Sequence, residues 1–273
     1  MTYKYGRGRG CKVIGKSHAK GPVPTHLCSY YPFTAPAASP RKRTWYACLA
    51  LLFFAVGLGA QPELLLVEAL SANPARQVRI AGELQQYNHS DFGPAAAEHL
   101  GHLLDLERLP AREEYILLAG FLGRSDLLER LPEPARNTKS VRQSINLARV
   151  RAGNAERAAN LLKNLQRLEV NDELVYDLLP SLIYTRDRGV FDWLWASAMT
   201  ENRACYPADA ETPGRIDCAY RLVEALGPAI ENFPVAVDAD AGLLTDDYPA
   251  ALLSIRRWYA ANADTYLIRT DTF

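Results

Sequence analysis

Apolar residues recur at three- and four-residue spacing through most of the chain after residue 61, with polar residues between them. This spacing matches the period of an α-helix, so it predicts amphipathic helices rather than strands. Pro, Gly, Asn or Asp separate the periodic stretches, as is typical where helices begin and end. The pattern predicts helices over 62–72, 74–87, 94–107, 111–122, 125–132, 138–152, 155–168, 171–185 and 189–200.

The pattern changes after Thr200. A polar stretch with two prolines predicts a loop over 201–215, and alternation around an Asp-Ala-Gly turn predicts a short hairpin over 234–245. Helices are predicted over 216–232, with a break near Gly227-Pro228, and over 248–262, and the tail 266–273 is predicted to be a strand or an extended arm. We expect residues 201–273 to form a C-terminal cap, because the last unit of a helical array leaves its apolar face uncovered.

The predicted helices of residues 61–200 repeat in pairs. The dipeptide Gly153-Asn154 between two helices aligns with Arg186-Asp187, 33 residues later, and with Gly123-Arg124, 30 residues earlier, and the flanking apolar positions align with them. Self-similarity at this period in paired helices is typical of α-solenoids, in which each unit packs on its neighbours.

The repeated stretches resemble a known class of helical repeat. Thr138 to Leu162 and Asp172 to Trp195, with Val141-Arg142 and Leu179-Pro180-Ser181-Leu182, are similar to HEAT-type repeats. The run Leu147 to Ala159 also resembles the turn of a tetratricopeptide repeat, although Asn146 and Arg149 stand where that family has Gly and Tyr. The resemblance implies an all-α, HEAT- or armadillo-like, right-handed superhelix of paired antiparallel helices. It also implies a scaffold that binds partners rather than a catalyst.

The apolar run Trp45 to Ala60 follows the cations Arg41, Lys42 and Arg43 and ends in small residues. A basic flank, an apolar core and a small-residue end predict an export signal. The run has 16 residues, fewer than the roughly 20 that span a bilayer, so a membrane anchor is the alternative interpretation. Residues 1–44 lack an apolar period and are predicted to be a disordered basic extension, or to precede a true translation start nearer Arg41.

Charge divides the chain at the same place. Residues 1–44 carry nine basic residues and no acid, whereas residues 61–273 carry 22 basic and 31 acidic residues, a net charge of about −9. Binding to nucleic acid requires a cationic face, so the acidic balance argues against a nucleic-acid partner.

The positions of the cysteines are consistent with the predicted export signal. Cys11, Cys28 and Cys48 precede the end of the predicted signal, and Cys205 and Cys218 remain after it. A single pair in an oxidising compartment predicts a disulfide, with two free buried thiols as the alternative.

Candidate chemistry is sparse. Glu98, His99 and His102 lie on one predicted helix and are weak candidates for a metal site, against the alternative of a solvated polar face. Trp193, Trp195, Trp258 and Tyr259 form two aromatic clusters that could anchor a partner, since aromatic side chains dominate many interfaces. The alternative is that these rings pack in the core.

The sequence therefore predicts an exported, periplasmic or extracellular helical scaffold that binds a protein or peptide. We expect no catalytic residues and no cofactor. The alternatives are an accessory or regulatory domain tethered to a membrane through residues 45–60 and a metal-dependent enzyme, since a fold does not determine function.

Overall fold

The computed structural model describes residues 61–131, 138–207, 214–238 and 242–273. The predicted basic extension 1–44 and the predicted signal 45–60 lie outside these residues. The described part of the chain is mostly helical, with eleven α-helices and one two-stranded antiparallel sheet. The prediction of a mainly helical protein with a short hairpin is confirmed.

The helices follow the predicted ones closely. In the first half they are α1 (Pro62–Ser71), α2 (Pro74–Leu84), α3 (Ala96–Leu104), α4 (Arg112–Phe121), α5 (Ser125–Arg130) and α6 (Lys139–Arg151). The second half contains α7 (Ala155–Leu165), α8 (Leu179–Thr185), α9 (Arg188–Met199), α10 (Ala219–Leu226) and α11 (Tyr248–Asn262). Within the described ranges, no helix combines the length and the apolar character needed to cross a membrane.

Polar side chains fix where several of these helices begin. Asn73, Thr138, Asn154, Asp187 and Asp247 each precede a helix and accept a hydrogen bond from the backbone N–H three residues later. Each side chain thereby satisfies one of the backbone donors that a helix leaves unpaired at its start. These caps explain why the short, amphipathic segments start where the sequence predicts.

Helices pack mainly on near neighbours along the chain. Helix α4 packs on α6, α6 on α8, and α8 on α10, while α7 packs on α9 and α9 on α11. Consecutive helices α6 and α7 also pack on each other, as do α8 and α9. The helices that are close in sequence therefore cover most of each other's apolar surface.

The three aligned inter-helix turns share a left-handed residue. Gly123, Gly153 and Arg186 have φ values of 66°, 88° and 49°. In the first two turns the next residue donates its N–H to a carbonyl five residues earlier, from Arg124 to Ala119 and from Asn154 to Arg149, both at 2.9 Å. This hydrogen bond closes the end of a helix when a left-handed residue follows it.

The helix predicted over 171–185 is interrupted. Residues 174–178 form a π-helical turn, and the α-helix starts only at Leu179. Pro180 accounts for the change, because it has no N–H to donate to the carbonyl of Tyr176 and its ring would clash with that carbonyl in a regular helix.

The region after residue 200 is held together by a disulfide, a two-stranded sheet and an isolated β-bridge. Cys205 and Cys218 form the predicted disulfide, with their Cα atoms 5.0 Å apart and both side chains buried. Strand β1 (Val237–Asp238) pairs with β2 (Gly242–Leu243), and Ile268 of the tail forms an isolated antiparallel bridge with Ile230.

Buried side chains form two clusters. The first includes Leu65 to Ala148 together with Tyr184, and the second runs from Leu165 to Tyr266. Helix α9 shares the second cluster with α10 and α11, so the predicted boundary at residue 200 does not coincide with a break in the core.

Candidate functional site

A groove lies between α6, α7 and the start of α8, and we call it the α7 groove. Its volume is about 730 Å³ and it is open to solvent. The described lining residues are Lys139, Arg142, Gln143, Asn146, Leu147, Val150, Arg157, Asn160, Leu161, Lys163, Asn164, Leu165, Arg167, Leu168, Leu178, Ser181 and Leu182.

Aliphatic side chains form the floor of the α7 groove. Leu147, Val150, Leu165 and Leu182 are buried, and Leu168 just beyond α7 remains 44% exposed. Four leucines form one stripe along α7 and just beyond its end. Leu165 is buried, Leu161 and Leu162 are partly buried against the core clusters, and Leu168 is exposed. The groove therefore presents some apolar surface to solvent, including the side chain of Leu168.

Basic and amide side chains surround this floor. Lys139, Arg142, Arg157, Lys163 and Arg167 supply five positive charges, and none of the described lining residues is an acid. The amides are Gln143, Asn146, Asn160 and Asn164. Each amide can donate and accept hydrogen bonds, so together with the cations they can hold an anionic, peptide-like ligand.

No protein-family model, curated protein or solved structure matches the chain. The α7 groove must therefore be interpreted from its own geometry and charge.

Sequence reasoning missed this groove, although a local signal exists. Residues 139–168 contain seven basic residues and a single acid, Glu156, within a region whose net charge is about −9. The basic residues of α7 lie at helical positions beside its leucine stripe, and the fold turns both toward the same cleft. The reversal of local charge would have identified the segment, but not the cleft, because the cleft depends on how α8 packs on α6.

Of the metal candidates on α3, Glu98 and His102 are exposed and His99 is partly buried. His102 Nε2 is 3.8 Å from Glu98 Oε1, and their side chains are 61% and 75% exposed. Within the residues that the structure describes, no group of three or more His, Cys, Asp or Glu side chains is arranged to hold a metal ion.

The aromatic candidates are packed to different degrees. Trp195 is fully buried and stacks on Tyr259, with ring centroids 4.3 Å apart, so it belongs to the core and cannot serve as an exposed anchor. The ring of Trp258 lies 6.2 Å from the same tryptophan, and Trp193 is partly buried. The structure thus brings Trp195, Trp258 and Tyr259 together as a packing cluster, away from the residues that line the α7 groove.

The tail contacts the end of α6 through Arg151, which does not line the α7 groove. Arg151 donates to the carbonyls of Thr270 and Thr272 at 2.8 and 2.9 Å, and Arg186 donates to the carbonyl of Phe273 at 3.0 Å. Burial lowers the pKa of both arginines to about 10, and for Arg151 the nearby charge of Arg186 adds to the effect. These arginines bind the protein's own backbone, so they form a structural anchor for the tail.

Proposed function

We propose that the protein is an exported, non-catalytic helical-repeat scaffold that binds a protein or peptide partner in the α7 groove. The observation that carries this proposal is the set of five cations around an aliphatic floor, together with the exposed side chain of Leu168.

The repeat interpretation is supported by the turns and the packing order. Three turns at offsets of 30 and 33 residues share a left-handed residue, and alternate helices pack in the order α4, α6, α8, α10. Both features are expected of a HEAT- or armadillo-like solenoid, in which each helical pair contacts the next. The concave side of such an array offers an extended surface for a partner.

Export is supported by the disulfide. Disulfides persist in oxidising compartments, and Cys205–Cys218 is fully buried. Edman sequencing of the purified protein tests this part of the proposal. A new N-terminus at or near Gln61 is expected, whereas a protein that retains Thr2 would argue against cleavage.

Affinity capture tests the binding function. The tagged full chain would be used to recover a partner from an envelope extract, in parallel with Leu168→Asn and the control Leu244→Asn. Leu168 lies in the groove and Leu244 outside it, and they are 44% and 56% exposed. We expect Leu168→Asn to weaken capture about fivefold, since a leucine that becomes buried in a complex contributes about 1 kcal/mol or more.

The control separates a groove effect from a general change of surface. Capture should be unchanged with Leu244→Asn. Equal recovery with both variants, or equal loss with both, would contradict a binding role for the α7 groove.

A further inference from the structure

The cations of the α7 groove differ from other cations of the fold because five of them line one cleft without an acid among the described lining residues. Across the described residues, no carboxylate forms an ion pair with Lys139, Arg142, Arg157, Lys163 or Arg167. Some arginines elsewhere are matched, such as Arg256, which pairs with Asp217 at 3.0 Å. Other arginines also lack an ion pair in the described residues, but they do not line this groove: Arg79, Arg108, Arg257 and Arg269.

Five positive charges around one cleft create a local positive potential, which favours a negatively charged occupant. We infer that the partner presents an acidic segment with interspersed aliphatic side chains, which lies along the α7 groove. This inference rests on the proposed function and adds the chemistry of the partner. The acidic side chains face the five cations, and the aliphatic side chains contact the leucine floor.

The amides support a peptide occupant. Gln143 and Asn146 come from α6, and Asn160 and Asn164 come from α7, so amide groups line two of the helices that bound the groove. A side-chain amide has both a donor and an acceptor and can pair with a peptide N–H and C=O. An extended backbone offers these groups at regular intervals along its length.

Other occupants fit less well. The protein's own residues 1–44 carry nine basic residues and no acid, so they would be repelled. A nucleic acid would meet the net charge of about −9 of residues 61–273, and the described lining offers no aromatic ring on which a base could stack. An acidic, aliphatic protein segment satisfies both the charge and the apolar floor.

Synthetic peptides test this inference with the full chain. Fluorescence anisotropy would compare a labelled peptide that alternates glutamate and leucine with peptides in which glutamine or lysine replaces glutamate, and with a single-stranded oligonucleotide. We expect the glutamate peptide to bind at least tenfold more tightly than the glutamine peptide and to weaken as salt is raised, because screening reduces the attraction. The lysine peptide should not bind.

Charge-reversal variants locate the site. Arg142→Glu with Lys163→Glu changes one exposed cation on each side of the groove, and Arg108→Glu with Arg257→Glu makes the same change in net charge at exposed cations outside it. The first pair should weaken binding of the glutamate peptide about tenfold or more, and the second pair about twofold at most. Circular dichroism melting of both double variants verifies that they are folded.

Three results would overturn the inference: equal weakening by both double variants, equal binding of the glutamate and glutamine peptides, or tighter binding of the oligonucleotide. If the glutamate peptide fails to bind while partner capture still depends on Leu168, the acidic chemistry is wrong and the proposed function stands. If both fail, the α7 groove is not a binding site.

Discussion

At the scale of single residues, Gly120 sets how closely α4 approaches α6. A Cβ atom at this position would lie 2.5 Å from the Cα of Ala148 and 2.5 Å from the hydroxyl of Tyr184. We predict that Gly120→Ala lowers the free energy of unfolding by about 1–3 kcal/mol, because the backbone of α6 has to move to admit the methyl group. Urea denaturation followed by circular dichroism measures the change.

Gly82 provides the matched control. It lies in the last turn of α2, and no atom would be within 4 Å of a Cβ built there. Gly82→Ala should therefore stabilise the protein by about 0.5–1 kcal/mol, since alanine loses less backbone freedom on forming a helix. A destabilisation of the same size in both variants would mean that the α4–α6 contact is looser than described.

Local chemistry decides the role of some single residues. Asp247 caps α11 because the free amides of a helix start need an acceptor within a few residues. The packing of Trp195 was left open, because its place in the core depends on Tyr259 and Tyr266, which lie on segments far along the chain. The local spacing of apolar residues predicts the helix, but it does not predict which distant aromatic rings cover that helix.

At the scale of elements, the disulfide holds the loop before α10 against the second core cluster. Cys205 and Cys218 are separated by 13 positions, and Ile216 N donates to Cys205 O at 2.8 Å inside the loop. We predict that Cys205→Ala with Cys218→Ala lowers the free energy of unfolding by about 3 kcal/mol, because the open loop gains entropy in the unfolded chain.

Guanidinium chloride denaturation of the double variant and of oxidised and reduced wild type measures this contribution. The reduced wild type should unfold at nearly the same midpoint as the double variant. An oxidised wild type that unfolds at the midpoint of the reduced protein would show that the crosslink does not stabilise the fold.

Periodicity predicted the helices because each is short, amphipathic and bounded by caps or prolines. It did not predict the π-helical turn at 174–178, since the spacing of apolar residues does not show that the helical turn becomes wider before Pro180. The α7 groove escaped prediction for another reason. The leucines of α7 have helical spacing whether or not a neighbouring helix covers them. Only the packing of the surrounding helices shows that Leu168 stays exposed.

At the scale of the whole molecule, the tail links the two core clusters. Ile268 pairs with Ile230 in the second cluster, and the ring of Phe273 lies 5.5 Å from Phe121 and 5.3 Å from Tyr184. We predict that Phe273→Ala destabilises the protein by about 1–2 kcal/mol and speeds hydrogen exchange in α4, because the ring is half-buried against that helix. Hydrogen exchange measured by mass spectrometry gives both results.

Leu267→Ala serves as the control within the same tail, since this side chain is 59% exposed. It should leave exchange in α4 unchanged. If Phe273→Ala also leaves α4 unchanged, the tail does not stabilise the first cluster.

The distribution of charge over the whole chain sets the groove apart. Residues 61–273 are acidic as a whole, whereas the segment 139–168 is basic, and five of its seven cations line a cleft with an apolar floor. This concentration of positive charge in an acidic chain is the feature that the proposed acidic partner would recognise.

Site-specific photo-crosslinking in the cells that make the protein tests most directly whether an acidic partner binds in the α7 groove. A photoreactive amino acid would replace Asn160 in the α7 groove or, as a control, Arg79 on the exposed face of α2. We predict that the Asn160 variant forms an adduct with another protein and that the crosslinked segment is rich in acidic and aliphatic residues. The Arg79 variant should not form this adduct. The absence of an adduct at Asn160, or the same adducts at both positions, would contradict it.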